Sequence, residues 1–230
     1  MIPVHRSSQI DLLGLDRRGY LLSTDAAMPR LSSSSQRARL FKSARLEKLT
    51  LMSPRMFVGS WLLLLSAIVW VGWNSASFMH AGALIIAGLF AWTLFEYAMH
   101  RFPFHYTSER SVLNHLVFLM HGNHHDNPGD EMRNLMPLVV SLPIASLVWI
   151  GSLALAGAPG TWLFFGWISG YVIYDLLHYA CHQWPMKSRI GSALKRHHMR
   201  HHYVDEGGNY AISMILWDRV FGTRINTLRR

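Results

Sequence analysis

Four apolar stretches, at 56–73, 78–95, 135–156 and 159–174, constrain this 230-residue chain more than any other feature. Each approaches the roughly 17–25 residues a helix needs to cross a bilayer. Inside lipid every backbone polar group must be bonded within the element itself, so such stretches are expected to be helices. A soluble chain of this length rarely hides four of them. Composition agrees, with half the residues hydrophobic and only 15% charged. Trp61, Trp70, Trp73, Trp92, Trp149, Trp162 and Trp167 lie towards the rims of the stretches, where interfacial aromatic belts are expected.

The connections set the topology. Neither "NSASFMHAG" (74–82) nor "AGAPGT" (156–161) contains a Lys, Arg, Asp or Glu. All 22 Lys and Arg lie elsewhere: ten in 1–55, three in 101–133 and nine in 187–230. Those three segments therefore share a side, and the positive-inside rule makes it the cytosol. The expected fold is an all-α integral membrane protein with about four transmembrane helices in two hairpins, residues 56–230, carrying a cytosolic helical cap. Both termini face the cytosol. A formal charge of +9 would ordinarily raise nucleic acid as a partner, but the placement of the cations is explained by a membrane.

Residues 1–55 form a separate basic cytosolic segment in this reading, either partly disordered or an interfacial helix. They lack the apolar core of a secretory signal near the start. The run "RLSSSSQRARLFKSARLEKL" (30–49) is a Ser-rich linker leading into a basic, weakly amphipathic helix able to lie on anionic lipid. Residues 1–27 carry so little pattern that Met28 is an alternative start. The single cysteine, Cys181, excludes an intramolecular disulfide and any Cys-based zinc motif.

The chain has 14 histidines, and ten of them form four groups. These are His100 and His105; His121, His124 and His125; His178 and His182; and His198, His201 and His202. All ten fall at or beyond the cytosolic ends of the stretches. Positions i and i+4 share a helix face, so His178 and His182 can aim at one site. "HGNHH" and "HMRHH" repeat one spacing, which selects His198, His201 and His202 and leaves His197 aside, although His197 also stands i, i+4 from His201. His100 and His105 can serve one site only if the helix breaks between them, and Pro103 supplies the break. The basic residues around 194–204 fit ligands that must be neutral, because positive charge lowers an imidazole pKa. His5, His80 and His115 stand apart from these spacings.

Ten imidazoles exceed what one ion accepts, and a structural zinc needs only four ligands, so two metals are expected. Imidazole suits zinc, copper, iron and nickel alike. Two redox metals at the mouth of a lipid-facing bundle point to oxygen chemistry on a lipid chain. Glu96, Asp130, Asp175 and Asp218 are the acids placed to accept a hydrogen bond from the far nitrogen of a ligating ring.

The chain at about 95–224 resembles the fatty acid hydroxylase superfamily, the histidine-rich membrane oxygenases that include sterol desaturases. "EYAMHRFPFH", "HGNHHDNPGDEMRNLMP", "YDLLHYACH", "LKRHHMRHHY" and "WDRVFGT" occur in the family's order and spacing. "HH" followed by "DNPGDEMR", with Pro128, Asp130 and Arg133 in place, is most similar to the fatty acid 2-hydroxylase branch. The resemblance implies the ten histidines as ligands of two iron ions, molecular oxygen as co-substrate, and zinc as an occupant in purified protein. It implies a membrane lipid substrate and a separate electron donor, cytochrome b5-like or a ferredoxin with its reductase, since residues 1–55 lack the cytochrome b5 motif. Gln183, where related enzymes tend to carry another histidine, is a departure that bears on substrate subtype. The membrane would be the inner membrane of a prokaryote or the endoplasmic reticulum of a eukaryote.

A sterol or carotenoid hydroxylase or desaturase is the nearest rival reading. A metal transporter is the rival from another class, but transporters place polar ligands near the bilayer midplane rather than at one face.

Overall fold

The computed structural model describes residues 39–106 and 109–226, and the expectations for residues 1–38 lie outside them. Every regular element among the described residues is helical. The elements are α1 (Ala44–Leu49), α2 (Pro54–Gly72), α3 (Phe78–Arg101), α4 (Ser111–Val117), a π-turn (Phe118–Gly122), α5 (Asn123–Asp126), α6 (Leu138–Ala156), α7 (Gly160–Gln183), α8 (Arg189–Tyr203) and α9 (Leu216–Val220).

Local chemistry sets several boundaries. Ser53 caps α2 by accepting from the Met56 N–H, with Pro54 at the first helical position. Ser77 caps α3 and Ser188 caps α8 in the same way. α3 stops at Arg101, and Pro103 follows two residues later. Between α6 and α7 the chain turns at Gly157, whose φ of 63° suits a residue without Cβ.

Three helices, α2, α3 and α6, are long and apolar enough to cross a membrane. Their outer faces present Leu62, Leu63, Ile86, Leu147 and Leu155, all exposed in the isolated chain, as lipid-facing side chains would be. α7 equals α3 in length but carries polar side chains and is largely buried. The reason is its position: α2, α3 and α6 each pack against it. α2 therefore rests on α7 rather than forming a closed hairpin with α3.

The α3–α7 contact is close enough to require glycine. A Cβ on Gly166 would lie 2.1 Å from the Ile85 carbonyl oxygen, and one on Gly88 would lie 2.1 Å from that of Leu163. Gly166 and Gly170 form a small-xxx-small face of the kind that lets membrane helices approach backbone to backbone. The tryptophans divide. Trp70 and Trp73 are exposed near the α2–α3 turn, whereas Trp61, Trp92 and Trp167 are core residues around Tyr171 and not part of a belt. Residues 39–53 join the same body, since Met52 donates to the Met132 carbonyl and Glu47 pairs with Arg133. The packed unit thus begins well before the apolar stretch at 56.

A candidate two-metal centre at the end of the helices

The ten selected histidines converge at one end of the bundle, in two groups of five. His100, His105, His121, His125 and His201 make one; His124, His178, His182, His198 and His202 make the other. Within each group the ligand-capable nitrogens lie within 4.8 Å of one another. The arrangement exchanges partners in a pseudo-symmetric way. "HGNHH" gives its i, i+4 pair to the first group and His124 to the second. "HMRHH" gives its i, i+4 pair to the second and His201 to the first.

A π-turn makes the first of these boxes possible. Widening the helix at 118–122 frees carbonyls from their usual partners, and the buried Asn123 side chain donates to those of Phe118 and Leu119, both at 2.9 Å. Asn123 is thus a structural member of the box that spacing alone does not single out.

The hydrogen bonds test whether metal fits. His100 Nδ1 is 2.5 Å from the Tyr210 carbonyl and His201 Nδ1 is 2.8 Å from that of Gly208. A carbonyl only accepts, so both Nδ1 atoms carry the proton and both neutral rings turn a lone pair outward at Nε2. Those two Nε2 atoms are 3.0 Å apart, and His105 Nε2 is 3.1 Å from His201 Nε2. Facing lone pairs repel unless a cation lies between them. Two imidazole bonds of about 2.1 Å at a right angle place their nitrogens about 3.0 Å apart. The second group repeats the spacing, with His124 to His178 at 2.9 Å and His182 to His198 at 2.8 Å. The donor set fits two metal ions.

Burial keeps these rings neutral. It is the first cause holding His201 down to about 3 and His105 to about 4, and it holds His121, His124 and His198 well below the usual range. Neighbouring imidazoles come next. The Lys and Arg of 194–204 are not among the main causes for His198, His201 or His202, so the cations explain less than their sequence position implied. His197 stands outside both groups, with its Nε2 2.9 Å from Asp218. His80 and His115 are exposed.

The four acids sit one step further back than a direct bond to any of the ten clustered rings, although Asp218 meets the His197 ring. Glu96 accepts from the Ile212 and Ser213 N–H groups and from the Ser213 hydroxyl. Asp218 accepts from the Tyr210 and Ala211 N–H groups and from Thr223. Together they fix the segment whose Gly208 and Tyr210 carbonyls orient His201 and His100. Asp175 accepts from the Met136 N–H and the Tyr171 hydroxyl. It thereby fastens the loop that carries Asn134, whose Oδ1 is 3.2 Å from His124 Nδ1. Glu96 and Asp175 play matching parts, each about a turn before the first ligand of its helix. Asp130 accepts from the Met132 N–H and lies 3.6 Å from Arg133. Among the described residues, the carboxylate against one of the ten rings is that of Glu206, with Oε1 3.2 Å from His125 Nδ1. Glu206 and Asn134 carry no spacing signal, and backbone carbonyls carry no residue identity, so sequence does not reveal these orienting groups.

An apolar cavity of about 480 Å³ runs between α3, α6 and α7 and ends at His121, His124 and His178, so it borders both groups. Trp167 and Ile168 line its far part. From His178 to Ile168 along α7 is ten residues, or about 15 Å at the helical rise.

The fold and site define a helical protein of membrane type with a paired, all-histidine centre facing an apolar cavity. The family model described as fatty acid hydroxylase matches residues 85–223, and the chain belongs to that family. It is 39% identical over 170 residues to the ceramide very long chain fatty acid hydroxylase scs7 of Schizosaccharomyces pombe, covering 68% of this chain and 49% of that protein. It is 40% identical over 144 residues to the fatty acid 2-hydroxylase of Homo sapiens, covering 61% and 39%. Similarity to the dihydroceramide fatty acyl 2-hydroxylase FAH2 of Arabidopsis thaliana is 35% over 149 residues, 64% of this chain and 62% of that one. The solved structure of full-length scs7p, with only its hydroxylase domain visible, superposes with a TM-score of 0.74 at 30% identity over 79% of this chain and 70% of that one. The chain thus spans about half the length of the first of these relatives.

Proposed function

We propose that this chain is a membrane-bound hydroxylase that inserts one oxygen atom into the acyl chain of a lipid, at the 2-position. The observation that carries the reading is the apolar cavity ending on rings of both histidine groups. An acyl tail can lie along α7 between Trp167 and His178, with its polar head at the cap and a carbon near that head beside the centre. The choice of the 2-position is supported by the relatives, which are named as acyl 2-hydroxylases.

We assign His100, His105, His121, His125 and His201 to one metal ion, and His124, His178, His182, His198 and His202 to the other. Bound there by neutral imidazoles, two iron ions would pass electrons from a separate donor to molecular oxygen, the chemistry needed to oxidise an unactivated C–H bond. The overall reaction consumes the lipid, one O2, two electrons and two protons, and yields the hydroxylated lipid and water. The chain's own contribution is positioning and dryness. Gly208 and Tyr210 carbonyls and Asn134 hold ring orientation, and the cavity wall excludes water from the reacting carbon. We further propose that α7 is a fourth span, shielded from lipid by α2, α3 and α6, and that the centre and both termini face the cytosol. On that side a separate soluble or membrane-attached protein can deliver electrons.

Expression in a host lacking 2-hydroxylated lipids, followed by lipid mass spectrometry, tests the reading. The expected product is an acyl species heavier by one oxygen, with label from oxygen gas and none from water. A double bond, an oxidised sterol or a hydroxylated carotenoid would overturn the substrate assignment. Unchanged lipids from iron-loaded protein supplied with a competent reductase would overturn the enzyme assignment.

A further inference from the structure

α1 is a short helix with no fully buried residue, yet it forms part of the cavity wall. Leu40, Phe41, Leu46, Leu49 and Thr50 all line the cavity, while Leu46 and Leu49 remain 49% and 54% exposed. A helix that covers an apolar cavity with half-exposed leucines is poorly held by its own packing. Something else must fix it, and the fixing group is Glu47.

The Glu47 carboxylate accepts from the Leu40 and Phe41 N–H groups at 3.0 and 2.9 Å and pairs with the Arg133 guanidinium. Arg133 is almost wholly buried and also donates to the Thr50 hydroxyl at 3.1 Å. The next residue, Asn134, is the one whose side chain meets His124. The pair therefore joins the cavity wall to the loop that orients a ring of the centre. Charge-assisted bonds in a partly desolvated site hold strongly while made, and one broken partner releases the whole contact.

We propose that α1 is the movable wall of the acyl cavity, that the Glu47–Arg133 pair is the latch holding it shut, and that lipid gains the cavity by passing under α1. This rests on the reading of the cavity as an acyl site. The basic residues Arg39, Lys42, Arg45 and Lys48 place α1 at an anionic lipid surface, where an acyl chain leaving the bilayer would meet it. Leu46 and Leu49 serve both states, contacting the cavity when the latch is closed and lipid when it is open.

The test uses the full chain, metal-loaded, in anionic nanodiscs. A cysteine replaces Val140 on the cavity wall, and the fully buried Cys181 reports whether the fold itself has opened. Maleimide labelling of the Val140→Cys thiol should be about tenfold faster or more in Glu47→Gln, the scale expected for loss of one charge-assisted bond in a local opening. Thr50→Val should accelerate it less, in the same direction. Cys181 should stay unlabelled and metal content unchanged in both. Equal Val140→Cys rates in all three proteins would overturn the latch. Equal acceleration at Cys181 would overturn it too, since the change would then be general loosening. Protection of the Val140→Cys thiol by a long-chain fatty acid reads the acyl site separately. Protection with equal rates removes the latch alone, whereas no protection in any variant removes the acyl reading and the lipid passage with it.

Discussion

His124 and His125 are neighbours in the chain and belong to different halves of the centre. His124 Nε2 is 2.9 Å from His178 Nε2, whereas His125 Nε2 is 2.9 Å from His121 Nε2. Successive helical residues point about 100° apart, so one dipeptide can straddle two sites. His201 and His202 do the same with the assignment reversed, and the His125 and His202 rings stack across the divide at 4.2 Å. Replacing His124 by Ala should deplete chiefly the second site, and replacing His125 chiefly the first. Elemental analysis of the purified variants checks this; metal content equal to that of the parent in either variant contradicts the assignment.

His197 and His198 should separate just as cleanly. His198→Ala removes a ring from the second group and should lower metal content. His197→Ala should leave metal in place and lower stability by about 1–3 kcal/mol, the usual cost of losing a buried bond to a carboxylate. Thermal unfolding beside metal analysis decides it. A His197 variant as metal-depleted as the His198 variant would reverse the choice.

Asn134→Ala removes the side-chain partner of His124 Nδ1 without touching a selected ring. Loss of an outer partner of this kind typically weakens metal binding about 10–100-fold. Competition with a chelator of known affinity measures the effect, and an unchanged midpoint would show that Asn134 does not orient the ring.

Gly166→Ala should destabilise the bundle by about 1–3 kcal/mol or more, because the added methyl meets backbone rather than a yielding side chain. Gly82→Ala, with nothing within 4 Å, is the control and should leave stability unchanged or slightly higher. Comparable losses in both would show that helix approach is not the cause.

Acidification should release metal and then unfold the protein. In the folded chain burial keeps His105 neutral down to about 4 and His201 to about 3, whereas an unfolded histidine protonates near 6.5. The unfolded state therefore binds more protons below about pH 6.5, and stability from these groups, full above that value, falls as pH drops towards 4. Protons also compete with metal for the same nitrogens, in the same direction. Metal content and melting temperature measured from pH 8 to 4.5 should fall together, and a flat or rising profile on acidification would contradict a neutral imidazole centre.

Much of this protein is legible in the sequence for reasons that act over short distances. Apolar length marks the helices long enough to cross a membrane, because a helix satisfies its backbone locally whatever surrounds it. Histidine spacing singles out the ten clustered rings, because i and i+4 share a helix face in any fold. Pro103 marks the break between His100 and His105 for the same local reason.

The rest depended on elements far apart in the chain. Which ring joins which half follows from how α3, α7 and α8 meet, and the HH dipeptides at 124–125 and 201–202 offer either choice until they do. Glu96 and Asp175 look like ring partners when only their spacing from His100 and His178 is known. In three dimensions each reaches the N–H groups of a loop far along the chain, 39 to 117 residues away, and orients the rings through that loop. α7 reads as one lipid-facing stretch among four, but its polar residues are tolerated because three helices cover it. α1 reads as a tail helix for the membrane surface, and only the fold shows that Leu46 and Leu49 also line the cavity and that Glu47 reaches the buried Arg133. Sequence thus determined which residues take helical form and which rings are available. Tertiary packing decided their pairing, because hydrogen-bond partners, close helix approach and cavity walls exist only between segments that chain order keeps apart.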